Sequence, residues 1–469
     1  MKRFILAHAD EERRLHIIGR RAANMSTAVG RVPDDVLIRI FTMARFLYDV
    51  APELLASVCH RWLAMAHGAI GAPLWSDIEL NVTPEVEIIA LARKIMRYLD
   101  RSRAHPISYH LKAAARVTAN DIDLLRTITR ASMSRCTNLD VPSFSMFRSW
   151  FPLDGQLTLK QLHIRETLPA SLFTWLVGEF IPSTVLEAPC PSLCELELSL
   201  QDAPTITTSL LANVSKFASI THLHIKVHTI REVWDSLGSF HSLQYLDWYH
   251  TGPDDGVVQG GENGAATLTL PKLERFRFYD NARLRAPSML DAPLLRHLEL
   301  TASPSHYTDL DHWALLNPDQ FPKLQTLVSR TEDRDMYRIV SAIEGHPTLR
   351  NVYWEIRIQS MPESIRALSS LLRRVISTPQ PPPMLLYQLD WFSIMVTKRL
   401  PPDPELEELY AEIARELARF VDIWDVLPAE RRPGFNLCLS QSLVKASQEI
   451  ARVVEKHPDI VLPRIHPLT

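Results

Sequence analysis

A chain of 469 residues, 46% of them hydrophobic, has room for two or three domains, or for one small domain and a repeat array. Its formal net charge of −3 gives no bulk attraction for nucleic acid or an acidic membrane, so neither is expected as a partner, and no apolar run reaches the roughly 18–20 residues of a bilayer-spanning helix. The five cysteines (Cys59, Cys136, Cys190, Cys194, Cys438) are odd in number and unevenly spaced, which argues against a secreted disulfide framework and for a reducing compartment, cytoplasm or nucleus.

Residues 1–30 read as a basic, solvated tail. The apolar stretch Phe4-Ile5-Leu6-Ala7 is too short for a secretory signal, and Asp10-Glu11-Glu12 speaks against a transit peptide. Residues 31–80 then describe three short helical segments. Pro33 suits a first helical position, and Asp34 and Asp35 suit the positive end of a helix dipole. After Val32, the apolar Val36, Leu37, Ile40 and Phe41 share one face. Leu54, Leu55, Val58, Cys59 and Trp62 repeat that spacing after Pro52, and Pro73 opens a third segment with Leu74, Trp75 and Ile78. So small a unit carries more apolar surface than it can bury alone.

The ordered combination of Pro-acid-acid-aliphatic, Val-Cys-x-x-Trp and Leu-Trp resembles an F-box, the adaptor-docking module of cullin–RING ubiquitin ligases. The family pattern opens on Leu-Pro with a Glu two residues after the proline; here Val32-Pro33-Asp34-Asp35 stands instead. The resemblance covers about a tenth of the chain, and fungal F-box proteins with degenerate leucine-rich repeats are the nearest kind. It implies that Val32, Pro33, Val36, Leu37, Ile40, Phe41, Leu54, Leu55, Val58, Cys59 and Trp62 contact an Skp-type adaptor, which links to a cullin.

Residues 81–156 read as a helical linker, with helices over 86–98 and 121–130 and an irregular strand around Leu139 and Val141. From 157 to 360 a unit apolar-x-x-apolar-x-apolar recurs. It appears as Leu159-Leu162-Ile164, Leu193-Leu196-Leu198, Ile220-Leu223-Ile225, Leu243-Leu246-Trp248, Leu273-Phe276-Phe278, Leu295-Leu298-Leu300, Leu324-Leu327 (Ser329 breaks the last position) and Leu349-Val352-Trp354. The spacing sits within or just above the roughly 20–29 residues of leucine-rich repeats. One strand and one return segment per unit cannot bury an apolar face alone, and stacked units can. Return helices are expected over 209–217 and 229–237, and the glycine-rich 251–267 reads as a mobile insertion without phosphate-loop order. Residues 361–469 are expected to form a helical cap, with a helix over 364–376, a stiff proline run at 378–383, and amphipathic helices over 405–424 and 437–454. The fold class expected is therefore α/β: a three-helix F-box, an irregular leucine-rich-repeat solenoid and C-terminal helices.

Catalytic signatures are missing: there is no G-x-S-x-G elbow, H-E-x-x-H, Walker loop or Asp-Phe-Gly set. Cys190, Cys194, His222, His224 and His228 lack the tight paired spacing of a zinc site, so no metal or cofactor is expected. Strand positions flanking each middle apolar residue form a polar strip suited to protein recognition: His163, Glu195, Glu197, His222, His224, Tyr245, Asp247, Arg275, Arg277, His297, Glu299 and Tyr353. Together these features point to a non-enzymatic substrate receptor of an SCF-type ligase that holds an unknown protein on its repeats, or, as the alternative, to an interaction scaffold outside any ligase.

Overall fold

The computed structural model describes residues 29–48, 50–82, 88–113, 119–142, 158–165, 191–199, 219–227, 237–250, 268–280, 290–302, 319–332, 346–357, 391–396 and 434–439, with isolated helical positions between 411 and 422 and at 452 and 455. The chain divides into two compact units, residues 1–163 and 164–469. The expected tail, return helices, glycine-rich insertion, proline run and 364–376 helix lie outside the described residues.

The first unit opens with α1 (Asp34–Tyr48), α2 (Pro52–Ser57) and α3 (His60–His67), followed by a 3-10 segment at Ala69–Trp75. Asp34 and Asp35 sit in the first turn of α1, where the backbone N–H groups favour acids. Pro52 begins α2, where its missing N–H costs nothing. Arg61 on α3 ties down the entry to α1, donating from Nε to Asp34 Oδ1 (3.0 Å) and from its terminal nitrogens to the carbonyls of Gly30 and Val32. The Phe41 and Trp62 rings meet at 4.5 Å, packing α1 on α3. At Gly71 a Cβ would overlap the Met65 and Ala66 carbonyls, so only glycine lets the 3-10 segment close on α3. Fully buried Trp75 donates from Nε1 to the Ala66 carbonyl (2.7 Å) and meets Tyr98 edge-on at 5.1 Å.

A parallel sheet follows within the same unit: β1 (Asp77–Val82), β2 (Ile107–Ala113) and β3 (Cys136–Val141), in chain order, separated by α4 (Ile88–Ser102) and α5 (Ala119–Arg130). The helices and the early strand read from sequence are thus in place, but residues 77–141 are not a helical linker. They are strand–helix units with their own register. The alternation in Ile107-Ser108-Tyr109-His110-Leu111 is a period-two signal, with Ile107, Tyr109 and Leu111 buried. Ile78 belongs to β1 and not to a third helix.

β4 (Gln161–Arg165) spans the division between the units. The second unit continues with β5 (Glu195–Ser199), β6 (His222–Val227), β7 (Tyr245–His250), β8 (Leu268–Thr269), β9 (Arg275–Asp280), β10 (Leu290–Asp291), β11 (His297–Ala302), β12 (Thr326–Glu332), β13 (Asn351–Arg357), β14 (Trp391–Val396) and β15 (Gly434–Leu439). The main sheet of this unit is parallel in the order β5-β6-β7-β9-β11-β12-β13-β14-β15, and β8 pairs with β10 in a separate two-stranded sheet.

The sequence repeat explains the register. Before β9, β11, β12 and β13 the chain reads Leu270-Pro-Lys-Leu273, Ala292-Pro-Leu-Leu295, Phe321-Pro-Lys-Leu324 and His346-Pro-Thr-Leu349, and each closes a turn by an N–H to C=O bond over three residues (3.0–3.2 Å). Proline at the second turn position presets its φ. Each turn delivers the next strand to the same height, so the middle apolar residues Leu196, Leu223, Leu246, Phe276, Leu298, Leu327 and Val352 fall in one buried row. Ser329, which breaks the pattern, stays in its strand and is fully buried, with its hydroxyl unpartnered.

The expected C-terminal cap needs correction. β14 and β15 extend the parallel sheet beyond residue 360, with Phe392 and Phe435 in register with Val352. Leu437 to Leu439 are strand, not helix. Within 405–424, the described positions are helical.

Candidate functional site

Two surfaces carry the residues singled out from sequence. The first lies on the helices of the first unit. Leu37, Phe41 and Leu55 are buried (2%, 0% and 7% exposed), which corrects their assignment as partner contacts: they form the core between the helices. Trp62 and Cys59 are half-buried, as is Val32, whereas Pro33 is exposed.

Val36 and Ile40 are exposed, and Met43 and Leu47 extend the same stripe of α1, each 59% exposed. Leu54 on α2 and Val58 just beyond it are exposed at 62% and 61%, and Leu63 and Ile70 also face solvent. Sequence spacing merged two stripes one residue apart, because both 36/40 and 37/41 satisfy the helical period. Met43, Leu47, Leu63 and Ile70 were missed; extending the 36/40 stripe by three and seven residues finds the first two.

The second surface is the polar face of the strands. His163 lies on β4 in the first unit; Glu195, Glu197, His222, His224, Tyr245, Asp247, Arg275, Arg277, His297, Glu299 and Tyr353 all lie on strands of the second unit, half-buried or exposed. Parallel register sets them in rows. One row is Glu195, His222, Tyr245, Arg275, His297, Thr326 and Asn351; the next is Glu197, His224, Asp247, Arg277, Glu299, Val328 and Tyr353.

Charges in the second row and its flank alternate. Arg277 reaches Glu299 (2.8 Å) and Asp247 (3.7 Å), and Arg330 bridges Glu299 and Glu355 at 3.3 Å each. Nearer the start of this unit, Arg165 grips Glu197 through two nitrogens at 2.8 and 2.7 Å, the bidentate fork that planar guanidinium favours. Aromatic rings fill the gaps: His222 stacks on Tyr245 at 4.2 Å, and Tyr249 stacks on Tyr279 at 5.6 Å. Burial and the charges of Arg275 and Arg277 push the His297 imidazole down to about 4, against a weaker pull from Asp247, so it is neutral near pH 7. Burial raises the Tyr249 and Tyr353 phenols, so both remain protonated. The face offers hydrogen bonds and stacking, with most of its charge internally paired.

In the first unit a third polar group spans β1, β2 and β3. His110 lies 3.0 Å from Asp77 and 3.6 Å from Asp140, and hydrogen bonding to Asp140 and then Asp77 raises its imidazole to about 9. Arg45 of α1 donates to the Asp77 carbonyl (3.0 Å) and pairs with its carboxylate (3.5 Å), so this group fastens α1 to the sheet. Among the described residues no group of three or more His, Cys, Asp or Glu side chains is arranged to hold a metal ion, and no helix is long and apolar enough to cross a membrane.

No family model matches the chain, and no curated protein matches it. Solved structures that match include the crystal structure of a Bacteroides fragilis protein, 15% identical, covering 56% of this chain and 73% of that one with a TM-score of 0.36. A likeness that distant bears on neither fold detail nor function.

Proposed function

We propose that the chain is a substrate-recognition subunit of an SCF-type ubiquitin ligase, its N-terminal helices acting as an F-box that docks an Skp-type adaptor and its strand face, a degenerate leucine-rich-repeat surface, holding the protein to be modified. The chain makes and breaks no bond itself; it raises the local concentration of a target lysine beside a charged ubiquitin-conjugating enzyme. The observation that carries this reading is the exposed apolar set Val36, Ile40, Met43, Leu47, Leu54, Val58, Leu63 and Ile70 on a helical unit whose own core is already filled by Leu37, Phe41, Leu55 and Trp75.

Eight such side chains at about 2 kcal/mol each give on the order of 16 kcal/mol of gross apolar burial. Association costs roughly 4–15 kcal/mol, so a partner covering the whole set clears even the upper end of that range, and one covering half of it does not. The test is capture of an Skp-type adaptor and a cullin by the full-length chain. Leu54→Ser with Val58→Ser is expected to lower adaptor capture by on the order of 1,000-fold, at about 2 kcal/mol for each anchor, while leaving the thermal melt in place. Undiminished adaptor capture by that double variant overturns the docking assignment. Capture of the adaptor without a cullin supports the scaffold reading instead.

A further inference from the structure

Among the described residues, the arginines on the strand face of the second unit are matched to acids with one exception. Arg165 has Glu197, Arg277 has Glu299 and Asp247, and Arg330 has Glu299 and Glu355. Arg275 has Tyr245 and His297 as its register neighbours, and no acid lies within ion-pair distance of it among the described residues. Its Nε and the Nε2 of His297 are both shielded from water without a hydrogen-bond partner. Buried polar atoms left unmade cost free energy, and a guanidinium left so costs more than a neutral group. Arg275 and His297 are direct register partners on the adjacent strands β9 and β11, so the two unsatisfied atoms belong to neighbouring side chains on one face.

We propose that Arg275 and His297, flanked by the stacked His222 and Tyr245 rings, bind an anionic side chain, carboxylate or phosphate, of a polypeptide laid along this face. The proposal rests on reading the strand face as the partner-binding surface and names the chemistry of what it selects. Arg275 supplies a forked donor to two oxygens of the anion. His297 supplies a third donor, through the tautomer that carries its proton on Nε2. The His222–Tyr245 pair supplies an apolar, stacking wall for the residue beside the anion. A free small anion on an open face would gain only these hydrogen bonds; an anion borne by a polypeptide adds the neighbouring contacts.

The same arrangement provides a readout. The groups around His297 are Arg275 and Arg277 on β9, Glu299 on its own strand, Thr326, Val328 and Arg330 on β12, and Tyr245 and Asp247 on β7. The two arginines resist its protonation. An anion seated against Arg275 offsets that repulsion and moves the imidazole back toward its ordinary range.

The experiment follows the histidine ring signals of the full-length protein by NMR at mildly acidic pH, with His297 assigned by its loss in His297→Gln. The probes are N-acetyl-glutamate amide and N-acetyl-phosphoserine amide. A saturable shift of the His297 signal toward the protonated position is expected, weakened roughly tenfold or more in Arg275→Gln, weakened less in Arg275→Lys, and unchanged in Arg330→Gln. Response to both probes supports a carboxylate-reading site, and response to the phosphorylated probe alone supports a site that reads a modified partner. No saturable shift with either probe overturns the proposal, as does an equal shift in a folded Arg275→Gln or Arg275→Lys variant. Adaptor capture through Leu54 and Val58 is measured separately and fails or succeeds without reference to Arg275.

Discussion

The helical start of the chain and the strand face of the second unit are both exposed, and they present opposite chemistry. On α1 and α2 the exposed residues include Val36, Ile40, Met43, Leu47 and Leu54, which gain nothing from water and cannot satisfy one another across a helix surface. On the strands the exposed residues are His, Tyr, Arg, Asp and Glu, already paired along Asp247, Arg277, Glu299, Arg330 and Glu355. The first surface is short of a partner in bulk apolar area. On the second, among the described residues, Arg275 is the arginine without an acid. Apolar stripes give affinity that tolerates sequence change in the partner; an unpaired cation selects.

The comparison breaks most visibly where buried and exposed members of one apolar run are exchanged. Phe41→Ala is expected to destabilise the helical unit by about 3–5 kcal/mol, since the ring is fully buried against Trp62. Hydrogen exchange across residues 34–67 should accelerate. The Leu54→Ser, Val58→Ser double variant should leave that exchange unchanged while losing adaptor; equal acceleration in both would mean the two stripes are not distinct.

On the strand side, Glu299→Gln removes the acid shared by Arg277 and Arg330 and is expected to cost about 1–2 kcal/mol in urea unfolding. Arg165→Gln, at the more exposed pair, should cost below about 1 kcal/mol. Ser329→Ala takes away a buried hydroxyl with no partner and should raise the unfolding midpoint, by about 1 kcal/mol. A fall would show that the hydroxyl is satisfied after all.

The smallest effect is a pH slope. His110 has its folded value raised to about 9, above the ordinary 6.5, so its contribution is complete below about pH 6.5 and is lost as pH rises through 9. Asp77 is shifted the other way: burial works against its ionisation, and His110 and Arg45 outweigh it, so its contribution is lost only in acid. His110→Asn should flatten the decline of the unfolding midpoint between neutral and mildly alkaline pH; an unchanged slope would assign that decline to another group.

Much of this was legible in the residues. The helical segments were visible because proline and aspartate mark their starts and the apolar period runs at four. Strands β4 to β7, β9 and β11 to β13 were visible because the apolar-x-x-apolar-x-apolar unit repeats. What escaped has identifiable causes. β2 lay between two strong helices, and its alternation over five residues was too short to stand out. β14 was hidden behind a proline run, although Leu389, Phe392 and Ile394 keep the repeat spacing, and β15 carries Phe435 at the middle position and keeps Leu437. Arg275 and Arg277 look alike in sequence; two strand positions separate a guanidinium with acids in reach from one without.

Local chemistry was enough to mark the first helices and the repeating strands and which face of each such strand turns inward, because these follow from periods of 3.6 and 2 and from turn residues a few positions apart. Packing between segments distant in the chain was needed to divide the apolar run of α1 into a buried stripe and an open one, and to leave Arg275 without an acid while its neighbour two residues on has two. Both outcomes depend on which side chains arrive from other rungs, and pairwise distances across tens of residues are not written in any local spacing.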